Sequence, residues 1–120
     1  MEIRRLDRAA LGPVNNWSQR LVPWAALNAP FEGAWCVVRP GGESQRHAHH
    51  EYEIFIAVAG EAVLESAGES TRFAPGDVVH FPPHVEHQVR NLGERDFEMY
   101  TIWWDRDMSD VFTDRHAGGA

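Results

Sequence analysis

Gly41-Gly42-Glu43-Ser44-Gln45-Arg46-His47-Ala48-His49-His50-Glu51-Tyr52-Glu53-Ile54-Phe55-Ile56-Ala57-Val58-Ala59-Gly60 is the stretch from which the rest of the chain is best understood. It opens on paired glycines, sets two histidines two positions apart, and closes in an apolar run, Ile54 to Ala59, stopped by another glycine. Residues of like parity on a strand share one face, so His47 and His49 can project into a common interior. Glu53 has the same parity, and it is close enough in sequence to arrive from the adjoining strand if the chain turns after His49. A third imidazole, His87, would have to come from across the fold. It opens its own short run, His87-Gln88-Val89-Arg90-Asn91, directly after a Pro82-Pro83 corner.

The surroundings of that stretch share its rhythm. From Trp35 onward, short runs rich in valine, isoleucine and aromatics alternate with punctuation at Pro40-Gly41-Gly42, Ala67-Gly68, Pro75-Gly76-Asp77 and Asn91-Leu92-Gly93. Glu53 to Val58, Asp77 to Phe81, His87 to Asn91 and Phe97 to Trp104 are the clearest strands, short as in closed β architectures. No helical stretch of ten or more periodic residues is expected in this region. The fold class is therefore all-β, a sandwich or barrel over residues 35–112. Residues 1–34 are expected to form an extended arm, with a helical turn at Leu6 to Leu11. Trp17, Leu21, Val22 and Trp24 would pack on the barrel or on a neighbouring subunit. Residues 113–120 are expected to be a flexible tail.

Composition narrows the function. The chain has 120 residues, 43% of them apolar, which suits one globular domain. A formal charge of -7 disfavours a nucleic-acid partner, which needs a basic face. All 11 basic residues are arginine, and without lysine any Schiff-base or lysine general-base mechanism is excluded. The single cysteine, Cys36, cannot form an internal disulfide and reads as a small buried hydrophobe or a cavity-facing thiol. No signal-like or membrane-spanning run is visible, so the expected location is the cytoplasm, away from membranes.

Six histidines, His47, His49, His50, His80, His84 and His87, crowd into the middle of the chain. Imidazole with carboxylate is the donor set of zinc and of iron, manganese, nickel or cobalt. The spacing carries a resemblance. Gly41, His47, His49, Glu53 and Gly60 fit the first motif of the cupin family, which is a glycine, five residues, His-x-His, three or four residues, a glutamate, six residues and a glycine. Gly76, Pro82, His87 and Asn91 fit the second motif, with one departure: His84 stands where the family usually has glycine. The chain thus resembles a small single-domain cupin.

That resemblance implies a double-stranded β-helix, a jelly-roll-like barrel, with His47, His49, Glu53 and His87 holding one divalent metal ion, zinc or iron by preference. It further implies a metal-dependent enzyme acting on a small polar metabolite, with dioxygenases, isomerases and lyases among the family's chemistries. A non-catalytic binding or sensing module is the competing class. The run His47 to Phe55 and the closing Trp103-Trp104-Asp105 are also similar, more weakly, to the zinc-bearing cupin half of hydrazine synthetases, which form N–N bonds in natural-product biosynthesis.

Other residues are candidates of a second order. Glu98 and Tyr100 alternate with Phe97, Met99, Thr101 and Trp103; whichever set faces inward meets the metal. With His80 they are the candidate catalytic groups. Glu51 is a reserve carboxylate, His50 and His84 are expected near solvent, and Arg39, Arg46 and Arg90 are candidate anchors for a substrate carboxylate. Trp17 and Trp24 suggest a homodimer formed through the arm and an outer sheet.

Overall fold

The structure is a computed structural model, and it describes residues 1–21 and 29–117. Among the described residues, eight strands form two antiparallel sheets. The strands are β1 (Ser18–Arg20), β2 (Phe31–Val38), β3 (Tyr52–Ala59), β4 (Ala62–Ser66), β5 (Glu69–Phe73), β6 (Val78–Phe81), β7 (His87–Arg90) and β8 (Phe97–Trp104). The larger sheet has the order β1-β2-β8-β3-β6 and the smaller β5-β4-β7. The strand expected at Phe97 to Trp104 is observed with those bounds, the one expected at Glu53 to Val58 gains a residue at each end, and the other two each lose one residue at one end.

The core lies between the sheets, where Val38, Phe55, Leu64, Phe73, Val89 and Phe97 meet as one buried cluster. Alternation along each strand builds it: Phe97, Met99 and Thr101 on β8 are buried, while Glu98, Tyr100 and Ile102 between them are only partly so. Gly60 closes the β3–β4 turn at φ +75°, and a Cβ there would lie 2.2 Å from the Asp96 carbonyl oxygen, so only glycine fits. Asn91, fully buried, donates its side-chain amide to the carbonyls of Val38 (2.8 Å) and Arg95 (2.7 Å) and accepts from Gly93 N–H (3.0 Å), fixing the chain between β7 and β8.

Three expectations need correction. The described residues among the first 34 pack on the barrel, one of the two expected placements, but they are more than an extended arm. Short 3-10 turns at Arg8–Ala10 and Pro13–Asn15 lead into β1, which pairs antiparallel with β2, and Trp17 enters the core. The division at residue 34 falls inside β2, because its first residues find a partner in β8. Val22 and Trp24 lie outside the described residues.

The third correction is at the other end. Arg106–His116 forms an 11-residue helix, α1, in place of a helix-free barrel end and of the first residues of the expected tail. Asp105 caps it by accepting Met108 N–H (3.0 Å), the capping that helix starts favour. Nothing in α1 is buried. No helix among the described residues is long and apolar enough to cross a membrane.

Candidate metal centre

The segment after Gly41 runs antiparallel to β7 without becoming a regular strand. Ser44 N–H donates to the Val89 carbonyl (2.8 Å), Ser44 Oγ accepts Val89 N–H (2.8 Å), and Gln88 Nε2 donates to the Ser44 carbonyl (2.9 Å). This zipper ends at a bridge pairing His47 with His87. The two motifs, forty residues apart in sequence, are therefore joined side by side by backbone pairing. His49 follows two residues after His47 on the same face, and Glu53 enters from the start of β3.

The donor atoms of His47, His49, Glu53 and His87 all lie within 4.8 Å of one another. Each imidazole is oriented in the same way. His47 Nδ1 faces the Gln45 carbonyl (3.1 Å), His49 Nδ1 the Glu51 carbonyl (3.2 Å) and His87 Nδ1 the Val85 carbonyl (2.9 Å). A carbonyl only accepts, so each Nδ1 carries a hydrogen, and in its neutral form each ring turns its Nε2 lone pair to the centre. This is the backbone support that metal-binding histidines receive.

The centre is rich in lone pairs. His49 Nε2 and His87 Nε2 both stand 3.0 Å from Glu53 Oε1, and His87 Nε2, buried, makes no hydrogen bond. Nitrogen lone pairs held that close to a carboxylate oxygen repel it unless a cation sits among them, and leaving buried polar atoms unsatisfied is costly. Burial and the neighbouring His87 also hold the His47 pKa below the ordinary histidine value, which keeps its lone pair free at neutral pH. Phe81 stacks on the His87 ring at 4.3 Å and Phe55 meets it edge-on at 5.3 Å, so the imidazole has little freedom to turn away. Three neutral imidazoles and one carboxylate fit a divalent ion of the zinc or iron type.

A cavity of about 290 Å³ opens from these four residues, just below the usual size range of small-ligand pockets. Ala34, Phe55, Met99 and Trp103 give it apolar walls, and Thr101 and Glu51 add polar groups. Cys36 also faces it; burial pushes the thiol up to about 12, so it stays protonated at neutral pH. The wall nearest the N-terminus consists of Asn15, Asn16, Ser18 and Arg20, none of which stands out in the sequence as a site residue. Only the pairing of β1 with β2 brings them there. Asn16 does more than line the wall: its Oδ1 accepts Gln45 N–H (2.7 Å), and Gln45 is the residue whose carbonyl orients His47. Arg20 pairs with Glu32 and lies 5.7 Å over the Trp103 ring.

The three candidate catalytic residues are not at this cavity. β8 turns its more apolar set inward, so Glu98 and Tyr100 lie on the outer face, where Glu98 pairs with Arg8 and Tyr100 packs on Trp35 (4.2 Å). His80 is exposed on the outer face of β6, stacked near Tyr52 and Trp104. None of the three lines the pocket, so none reaches a ligand held there. Arg46 and Arg90 are bound to Glu65 on the outside of the smaller sheet, and Arg39 donates to the Arg8 carbonyl, so none is free to anchor a substrate inside. His50 and His84 are exposed. His84 has φ +66°, which shows why glycine suits the position: the turn needs the left-handed region, and His84 N–H donates there to the His49 carbonyl (2.7 Å).

Comparison with known proteins agrees with this architecture. Residues 34–103 match the Cupin domain family. A Cupin 2 conserved barrel domain protein from Salinispora arenicola superposes with a TM-score of 0.80 at 56% identity, over 97% of this chain and 98% of that one. A Photorhabdus luminescens protein, plu4264, superposes at 0.78 with 41% identity over 94% and 95% of the two chains. Among curated proteins, the 5-nitrosalicylic acid 1,2-dioxygenase of a Bradyrhizobium species is 32% identical over 73 residues. That match takes in 58% of this chain but 35% of the dioxygenase, so the chain spans about a third of its relative. With both motifs in place and a family match across more than half its length, the chain belongs to the cupin family.

Proposed function

We propose that the protein is a metal-dependent cupin enzyme acting on a small polar metabolite, with one divalent ion held by His47, His49, Glu53 and His87. The observation that carries this reading is the shared orientation of the three imidazoles, each tied at Nδ1 to a backbone carbonyl, with the donor atoms of all three and of Glu53 gathered within 4.8 Å. When bound, such an ion polarises a substrate oxygen or activates water or dioxygen. Similarity to a dioxygenase favours oxygen chemistry, and therefore iron, over a purely Lewis-acid role.

The chain's own residues supply the remainder. Phe55, Met99 and Trp103 exclude water from one side of the substrate, and Asn15, Asn16 and Ser18 offer hydrogen-bonding groups on the other. Arg20, shared with Glu32 and seated on Trp103, places a positive charge at the same wall, suited to a carboxylate or phenolate. Glu51, whose side chain is 28% exposed, is the acid nearest the mouth and the best-placed group to take or give a proton.

The test is elemental analysis of protein purified without a chelating tag, followed by oxygen-uptake measurements on the iron-loaded protein with a panel of small hydroxylated aromatic acids. Stoichiometric metal and uptake lost in His87→Ala support the proposal. A protein that takes up metal but turns over nothing belongs instead with binding cupins.

A further inference from the structure

The wall that β1 and the turn before it lend to the cavity carries polar chemistry that metal binding does not use. Asn16, Ser18 and Arg20 line the cavity but lie outside residues 34–103, the part of the chain that matches the cupin family. Holding them there takes unusual backbone. Asn16 (φ 55°) and Trp17 (φ 59°) are consecutive left-handed residues without being glycine, a strain that persists only where the surrounding structure enforces it. Trp17 supplies the enforcement. Its N–H donates to the Gly12 carbonyl (2.8 Å), its carbonyl accepts Val37 N–H (2.9 Å), and its indole N–H donates to the Glu43 carbonyl (3.0 Å). Asn16 thus meets the cavity with Oδ1 already engaged by Gln45 N–H (2.7 Å), which leaves its Nδ2 hydrogens as what it offers a ligand.

Arg20 stands two residues past Ser18 on the same face of β1. Among the described residues it is the one arginine that lines this cavity, where the acids are Glu51 and Glu53. Its guanidinium gives Nη1 to Glu32 and lies 5.7 Å over the Trp103 ring, so it is held in place with Nε and Nη2 still able to donate. Register sets the spacing. Glu53, Trp103 and Glu32 are partners in one row across three strands, so the metal-facing carboxylate and the Arg20–Glu32 pair belong to strands about 10 Å apart with an indole between them. The approach has the same sign of charge. A neighbouring basin, where Arg4 and Arg5 outnumber Asp7, shares Asn15, Ser18 and Arg20 with the cavity wall. On a chain of net charge -7, that gathers positive charge at one edge of the site.

We infer that Arg20 and the Nδ2 of Asn16 form a carboxylate subsite, and that the ligand is a small aromatic acid whose carboxylate lies against this wall while a hydroxyl on the far side of its ring faces the four donors. The inference rests on the proposed metal site and names the substrate class for it. A cavity of about 290 Å³ suits one ring with small substituents, and Phe55, Met99 and Trp103 give that ring apolar contact. With Trp103 between its two polar ends, the site favours an acid whose hydroxyl is remote from the carboxylate over one that carries the two on adjacent carbons.

The experiment is isothermal titration of the zinc-loaded full chain with para-hydroxybenzoate, ortho-hydroxybenzoate and the uncharged para-hydroxybenzamide, repeated on Arg20→Gln and Asn16→Asp. Asn16→Asp keeps an oxygen for Gln45 N–H and tolerates left-handed backbone, but it replaces the Nδ2 donor with an oxygen that repels an anion. Zinc stoichiometry and melting curves come first, and both variants should match the unaltered chain. Para-hydroxybenzoate should bind at least roughly 10-fold tighter than either other probe, and each substitution should remove roughly 10-fold of that affinity without weakening the amide. Equal binding of acid and amide, an acid affinity that Arg20→Gln leaves unchanged, or tightest binding by ortho-hydroxybenzoate overturns the subsite while the bound zinc leaves the metal reading standing. A chain that takes up no zinc overturns both.

Discussion

The two faces of the larger sheet use the same strands for different ends. Inward from β8 lie Met99, Thr101 and Trp103; outward lie Tyr100, Ile102 and Trp104. Both sets are largely apolar, so hydrophobicity alone does not tell a ligand cavity from an outer sheet face. What separates them is polar convergence. The inner face meets four donors and a hydrogen-bonded wall within one small volume, while the outer face spreads His80, Tyr100 and the Arg8–Glu98 pair among aliphatic and aromatic side chains. A pocket that fixes a small molecule needs a few placed polar groups, whereas a surface that joins two proteins needs continuous area.

If that division is right, substitutions on one face should leave the readout of the other unmoved. The largest effect is expected for His87→Ala, which removes a donor and opens a void beside Phe81. Metal affinity by calorimetry should fall at least roughly 100-fold, since even partners of metal ligands cost 10-fold to 100-fold when lost, and the oligomeric mass should not change. In the converse experiment, Phe112→Glu should still bind one ion per chain with wild-type affinity. Metal affinity lost in Phe112→Glu would show that the faces are coupled.

A smaller effect tests the support of the inner face. Asn16→Ala breaks the link from Asn16 through Gln45 to His47 without touching a donor, and metal affinity should drop by about 10-fold. Direct titration would show this, and an unchanged constant would mean that β7 alone orients His47. Smaller again is His84→Gly. Relieving a left-handed histidine should stabilise the fold by about 1 kcal/mol, seen as a melting temperature raised by roughly 3–6 °C. The least effect concerns acid. The His47 pKa is lowered in the fold, so as pH drops through the ordinary histidine range the unfolded chain takes up a proton that the folded one refuses. Metal-free protein should therefore lose stability on acidification, and His47→Asn should flatten that slope in denaturant titrations.

These expectations also show what was legible in the sequence. The metal set was, because the spacing of both motifs matches the cupin family, although parity alone joined only His47 with His49. The face of β8 was not, since both of its residue sets are apolar enough to be buried. Asn16 and Arg20 were hidden for a different reason: β1 is three residues long, has no alternating pattern to announce it, and acquires its position only by pairing with a strand that begins eleven residues further on. For α1 the signal was present. Asp105 precedes an apolar spacing at Met108, Val111 and Phe112, but three apolar positions in a polar, exposed run are easily read as a tail.

The central claim is that four side chains converge on one cation. Isothermal titration of chelator-treated protein with zinc, manganese and anaerobic iron(II) tests it most directly. One ion should bind per chain, with the site lost in His87→Ala and in Glu53→Ala while both variants keep their fold. Absence of binding by all three ions, or binding that both substitutions leave unchanged, would contradict it.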